Sequence, residues 1–221
     1  MRSEFWHERW ENQQTGFHLP EVNPVLIRYW PDMKLTPGQR VMVPLCGKTL
    51  DIIWLLQQGY AVVGIELSEI ALDELADTIT NTLKLEIHKT RNGDRVLYRA
   101  DNLLLIAGDF FALSSQDIGP VDAVYDRAAL IALPEPMRAD YVPHLLALTQ
   151  QAKQLLVGLS YPQDEMSGPP FSVRPQQVQQ YYQDVYQISV KEQQDILEQE
   201  PRFKARGLTS FVQDVYLLTP R

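Results

Sequence analysis

From residue 41 onward, short apolar runs alternate with amphipathic segments, and this alternation restricts the fold more than any other feature of the chain. Apolar runs at 41–45, 61–67, 103–107, 121–125 and 154–160 have the length and β-branched content of buried strands. Between them, 50–57, 69–80 and 136–149 carry helical spacing, and 176–182 adds a further helix. Ser68 is placed to cap the second of these helices, and Gly59 to stop the first. Strands regularly separated by helices predict an α/β fold: a single doubly wound, mostly parallel sheet with right-handed crossovers. Two segments depart from the rhythm. Runs at 85–89 and 95–99, split by Asn92-Gly93, predict a hairpin inserted before the third core strand. The runs near 186–191 and 210–218 predict an antiparallel pair at one edge.

Residues 1–35 lie outside this pattern. They are rich in aromatics (Trp6, Trp10, Phe17, Tyr29, Trp30), are punctuated by Pro24 and Pro31, and predict helix, loop, helix laid over the core. With no repeats or low-complexity tracts, 1–221 is expected to form one domain, and 1–35 its cover segment. Its 221 residues suffice to bury roughly two-thirds to three-quarters of the unfolded surface without covalent staples. One cysteine, Cys46, leaves no disulfide framework, and histidines 7, 18, 88 and 144 lack metal-ligand spacing, so no metal is expected. A net charge of -8 opposes a phosphate-backbone partner. The charged start carries no signal-like apolar stretch, and no run approaches a membrane span; the expectation is a cytoplasmic monomer with a small-molecule substrate and neither nucleic acid nor membrane as partner.

In open α/β sheets ligands sit beyond the carboxyl ends of the strands. After the first strand comes Pro44-Leu45-Cys46-Gly47-Lys48-Thr49-Leu50-Asp51, in which Gly47 lets backbone amides approach a ligand. Glu66 ends the second strand, 19 residues past Gly47, a spacing that suits recognition of ribose hydroxyls. Gly108-Asp109-Phe110-Phe111 follows the third and Asp126-Arg127 closes the fourth. No two of the 11 glycines are separated by a single residue, so the dinucleotide fingerprint is absent. No tyrosine has a lysine four positions later, which further disfavours a nicotinamide-dependent oxidoreductase, the alternative on a similar sheet. A nucleoside without phosphates fits better, and S-adenosyl-L-methionine is the common one. Its sulfonium would be attracted to a tryptophan face by roughly 0.5–2 kcal/mol. Trp6 and Trp10, four apart, could offer such a face or simply pack on the domain.

The chain resembles the thiopurine S-methyltransferase family, in its bacterial form. The matching motifs are E-F-W-H-E-R-W, G-F-H, V-P-L-C-G-K-T-L-D, G-I-E-L-S, G-D-F-F, Y-D-R-A-A-L-I-A-L-P, G-P-P-F-S-V and V-Y-L-L. The resemblance implies a seven-stranded class I methyltransferase fold and direct, in-line transfer from S-adenosyl-L-methionine to a thiopurine or similar aromatic thiol. It also implies possible acceptors among selenium and tellurium compounds, as in tellurite resistance. By position, Trp10 would meet the cofactor's methionine end, Leu45 and Gly47 would contact it from the turn after the first strand, and Glu66 would hold the ribose hydroxyls. Asp109 and Phe110 would flank the adenine, and Arg127 would lie near the carboxylate and stabilise the thiolate. Phe17, Pro169, Pro170 and Phe171 would wall the acceptor. Cys46 is expected to be a small buried support rather than a nucleophile, and His18 either an exposed residue or a proton acceptor. Arg202, Lys204 and Arg206 form either a solvated loop or an anion contact at the pocket mouth. A non-catalytic binding protein that kept the fold is the third reading, disfavoured by the intact strand-end set.

Overall fold

A computed structural model describes residues 3–16 and 18–221, Ser3 by its backbone alone. The strands are β1 (Arg40–Pro44), β2 (Ala61–Glu66), β3 (His88–Asn92), β4 (Arg95–Ala100), β5 (Leu103–Ala107), β6 (Ala123–Arg127), β7 (Lys153–Ser160), β8 (Tyr186–Asp195) and β9 (Val212–Pro220). They form one nine-stranded sheet in the order β3-β4-β5-β2-β1-β6-β7-β9-β8. The expected seven strands are therefore corrected to nine. The two additional strands are the predicted hairpin, which pairs antiparallel with β5 and so extends the sheet instead of standing apart from it. "Mostly parallel" also needs correction: β5, β2, β1, β6 and β7 are parallel, but the outer pairings on both sides are antiparallel.

The central strands are apolar on both sides because both faces are covered. Side chains alternate between the faces with the two-residue period of a strand. Val41, Val43, Val62, Leu105 and Tyr125 pack under α2 (Pro24–Tyr29), α3 (Asp51–Gln57) and α4 (Glu69–Leu83). Met42, Val63, Ile65, Ile106, Val124 and Leu156 face α5 (Ser115–Ile118), α6 (Glu135–Leu148) and α7 (Pro175–Tyr182). A smaller cluster of Tyr161, Leu197, Phe203, Leu208 and Phe211 includes α8 (Pro201–Lys204) and lies beside β9. Among the described residues no helix is long and apolar enough to cross a membrane.

Local signals set several boundaries. Ser68 caps α4 as expected, its hydroxyl accepting the Ala71 N–H at 3.3 Å. Asn23 caps α2 by accepting the Val25 N–H at 2.9 Å, with Pro24 in the first turn, where its missing N–H costs nothing. The cover segment starts with α1 (Ser3–Glu11), giving the predicted helix, loop, helix. The first hairpin strand begins at His88 rather than at residue 85, because the Asn92↔Arg95 pairing around Gly93-Asp94 fixes its register.

Gly64, in the middle of β2, sits where side chains of β5, the turn after β1 and α3 crowd the sheet. A methyl group there would meet Leu105 Cδ2 at 2.8 Å, and Cys46 Sγ and Ile52 Cδ1 at 3.1 Å. Gly64→Ala is therefore expected to cost about 1–3 kcal/mol of stability, as overpacked cores do. Urea unfolding measures this directly, and a neutral result would contradict the tight packing of α3 and the first turn on β2.

Candidate active site

The chain runs from β1 to β2 on one side and later returns to place β6 on the other, so the crevice above β1 and β6 is the sheet's switch point. Both strands leave it through strained backbone. Leu45, just past β1, has φ +46°, and Ala128, just past β6, has φ +64°, conformations that ordinary side chains rarely adopt. Each reversal turns the chain sharply at the crevice rim. Gly47 follows with φ +54°, and its missing side chain makes room for Trp10, whose ring would lie 3.1 Å from a methyl group there.

Glu66 joins the turns. It is buried at 6% exposure, and its Oε2 accepts the Gly47 N–H at 2.8 Å while Oε1 accepts the Ser68 N–H at 2.9 Å. Burial raises its pKa, while the Ser68 and Gly47 amides pull it back down. Each oxygen has one close donor, and the Leu67 amide also acts on the carboxylate; a carboxylate has about four acceptor positions, so capacity for a further hydroxyl remains.

The crevice opens into a cavity of about 900 Å³. Trp10, Leu45, Gly47, Glu66, Asp109, Phe110, Arg127, Pro169 and Pro170 all line it, so the residues singled out from sequence converge on one site. Phe171 does not line it; its ring folds back over Gly168 and lines a second cleft with Arg138 and Arg174. Phe17 lies outside the described residues. Phe110 is nearly buried, packed against Tyr141 and His144 with ring centroids at 5.1 and 5.0 Å, while the neighbouring Phe111 leaves more of its ring exposed at the cavity. Asp109 spends one oxygen on the Phe111 N–H at 3.0 Å. Trp10 is buried at 4%, packed on the domain, and it also lines the cavity.

Cations gather at this rim. Lys48 Nζ lies 5.8 Å from the Trp10 ring centroid and pairs with Glu74 at 2.5 Å. Asp122 does not pair with Arg127, since it receives the Arg40 N–H at 2.7 Å; Asp126 instead takes the Leu130 N–H and the Tyr141 hydroxyl. His18 lines the cavity half-buried, and burial, then Lys48 and Arg127, push its pKa below the usual value. Cys46 is buried, and its thiol pKa is pushed up by burial and by the Glu66 carboxylate, the opposite of an activated nucleophile. Arg202 and Arg206 reach the mouth of the cavity, where Arg202 bonds Gly16 O of the cover segment; Lys204 turns away to Glu198.

Sequence reasoning did not single out several lining residues. Leu159 from β7, and Ile196, Phe203 and Phe211 from the segment between β8 and β9, bring apolar surface. Asp51 and Tyr125 contribute buried oxygens. Of these, only Asp51 carried a usable signal: a carboxylate at the first helical position after a glycine turn, inside a motif already singled out.

The family model described as thiopurine S-methyltransferase matches residues 1–221. The chain belongs to the thiopurine S-methyltransferase family. It is 45% identical to the thiopurine S-methyltransferase of Pseudomonas fluorescens over all of both chains, and 45% identical to that of Pseudomonas aeruginosa over 99% of each. Among solved structures, the magnesium protoporphyrin IX methyltransferase of Synechocystis superposes with a TM-score of 0.67 at 14% identity, covering 99% of this chain and 100% of that one. The 1,6-didemethyltoxoflavin-N1-methyltransferase of Burkholderia thailandensis gives 0.63 at 14%, covering 98% and 87%. At these identities the two structures speak for the fold, an α/β methyltransferase sheet.

Asp126 gives this family member a pH signature. It is fully buried, and burial raises its pKa from 3.8 to about 6 despite the Tyr141 hydroxyl at 2.7 Å and the Leu130 N–H at 3.1 Å. A carboxyl whose folded pKa exceeds its unfolded value binds its proton more tightly when folded, so it favours folding below the unfolded pKa and loses that contribution as pH rises through 6. The stability of the wild type relative to Asp126→Asn is expected to fall by up to about 3 kcal/mol between about pH 4 and pH 8. Urea titrations at the two pH values measure it, and a relative stability that rises with pH would contradict the burial account.

Proposed function

We propose that this single-domain chain, 1–221, transfers a methyl group directly to an aromatic thiol, thiopurines included, with soft selenium or tellurium anions as further acceptors. The observation that carries this reading is the Glu66 carboxylate, held by the Gly47 and Ser68 amides at the rim of the one cavity where the family's motif residues meet. The residues fit an adenosyl sulfonium: a buried carboxylate with spare lone pairs, a glycine turn without side-chain bulk, and a cavity large enough for a nucleoside beside a flat acceptor. S-adenosyl-L-methionine, the cofactor, supplies an electrophilic methyl group on a sulfonium.

The protein's own task is positioning. Glu66 holds the ribose hydroxyls, Leu45 and Trp10 bound the methionine end, and Asp109 with Phe110 flanks the base. Pro169 and Pro170, with Leu159, Ile196 and Phe211 lining the same cavity, present apolar surface to the acceptor. Fixing donor and acceptor in line can remove up to roughly 7–11 kcal/mol of barrier. Aromatic thiols are acidic, and Arg127 at the same rim favours their thiolate form. His18, its pKa lowered, stays largely uncharged at neutral pH and leaves that role to the arginine. A net charge of -8 suits small molecules rather than nucleic acid, and we place the enzyme in the cytoplasm as a monomer.

Methyl transfer assayed over 6-mercaptopurine, aryl thiols, selenite and tellurite tests this reading. Turnover is expected with at least one aromatic thiol. Arg127→Ala is expected to lower kcat/KM by about 10- to 100-fold, the scale of one lost hydrogen bond to a charged group, with the fold retained by circular dichroism. Unchanged kcat/KM in that variant would remove Arg127 from the mechanism, and no transfer to any of these acceptors would overturn the assignment of substrate class.

A further inference from the structure

Two buried oxygens lining the cavity, Asp51 Oδ2 and the Tyr125 hydroxyl, make no close hydrogen bond; the two side chains interact with each other, and no other side chain or backbone group among the described residues bonds either oxygen. The two side chains are nearly inaccessible, Asp51 at 1% and Tyr125 at 0% exposure, and both line the cavity. Native interiors rarely leave such groups unsatisfied, least of all a carboxylate oxygen. Asp51 is only half committed to structure. Its Oδ1 accepts the Asn23 N–H at 2.8 Å, tying the start of α2 to the start of α3, and its other oxygen has no such task. No lysine, arginine or histidine forms a salt bridge with it among the described residues, and Lys48 nearby pairs with Glu74.

The surroundings give the missing group a sign and a shape. Arg127 lies two residues after Tyr125 on β6, so their side chains leave the same face of the sheet. The floor therefore sets an anionic acceptor and a hydroxyl beside a guanidinium. That arrangement complements a zwitterion, an ammonium and a carboxylate on one carbon, and the amino-acid end of S-adenosyl-L-methionine is such a group.

We propose that Asp51 and Tyr125 form the ammonium seat of the cofactor site: Asp51 Oδ2 and the Tyr125 hydroxyl oxygen accept N–H bonds from the α-ammonium, while Arg127 faces the α-carboxylate. This rests on the cofactor reading above and adds two residues to it. An ammonium in the seat gives both oxygens close donors that they lack, and the tie to Asn23 keeps Asp51 aimed at it. Without an amino group a ligand gains nothing from either oxygen.

Calorimetry on the full chain with two ligands tests the seat. S-adenosylhomocysteine carries the amino-acid end; 5′-deoxy-5′-methylthioadenosine has the same adenosyl thioether without it. Asp51→Asn keeps an oxygen for the Asn23 N–H but removes the charge, and is expected to weaken S-adenosylhomocysteine by about 10- to 100-fold, as for one hydrogen bond to a charged group. Affinity for the truncated ligand should stay within about threefold, less than the loss of one ordinary hydrogen bond. Tyr125→Phe should show the same selectivity with a smaller loss, and it decides the matter if Asp51→Asn does not fold. Equal weakening of both ligands, or no loss for S-adenosylhomocysteine, would overturn the seat. Wild type that binds neither ligand would overturn the cofactor reading, and the seat with it.

Discussion

Everything at the carboxyl edge of the sheet is organised around one buried carboxylate. Glu66 gives its two oxygens to backbone donors on different loops, Gly47 after β1 and Ser68 at the head of α4, while its own carbonyl takes the Gly108 N–H that follows β5. A charge taken out of water is costly unless donors meet it, and here the donors are main-chain groups that cannot swing away. One residue thus fixes the relative positions of three strand ends. The strain at Leu45 belongs to the same arrangement, because the chain must reverse at once to bring the Gly47 amide within 2.8 Å of Glu66.

The cover segment and the glycine turn depend on each other. Trp10 packs where Gly47 has no side chain, Lys48 sits over the indole and reaches Glu74 on α4, and Arg202 bonds Gly16 from the far side. Residues from both ends of the chain therefore close a cavity whose floor belongs to the sheet. The cavity's remaining walls come from the cover, the proline stretch at 169–170 and the C-terminal segment, so the strand ends and the chain's two termini contribute to one site.

Much of this was legible in the sequence wherever a local rule had no competitor. β5 falls within the residues expected because five consecutive apolar side chains are buried on both faces, and Ser68 caps α4 because nothing else near it can. The glycine-to-glutamate spacing located the crevice because the βαβ unit between them is of ordinary length. Legibility failed where tertiary pairing decides. Leu85 and Ile87 look like strand residues, yet they pack on the core while the turn at Gly93-Asp94 dictates which residues pair. Strand count failed for the same reason: a hairpin's sequence does not say that its second strand will pair with β5. The resemblance implied Phe171 as an acceptor wall together with Pro169 and Pro170, but its ring turns back onto Gly168 and does not line the cavity. The buried oxygens of Asp51 and Tyr125 were invisible, since a missing partner is a property of three dimensions.

The central claim is that Glu66 receives the ribose hydroxyls on acceptor capacity left by its backbone donors. A crystal structure with S-adenosylhomocysteine measures it most directly. The account predicts both ribose hydroxyls within hydrogen-bond distance of the Glu66 carboxylate, with the Gly47 and Ser68 amide bonds intact. A nucleoside bound elsewhere in the cavity, or Glu66 turned away from the ribose, would contradict it.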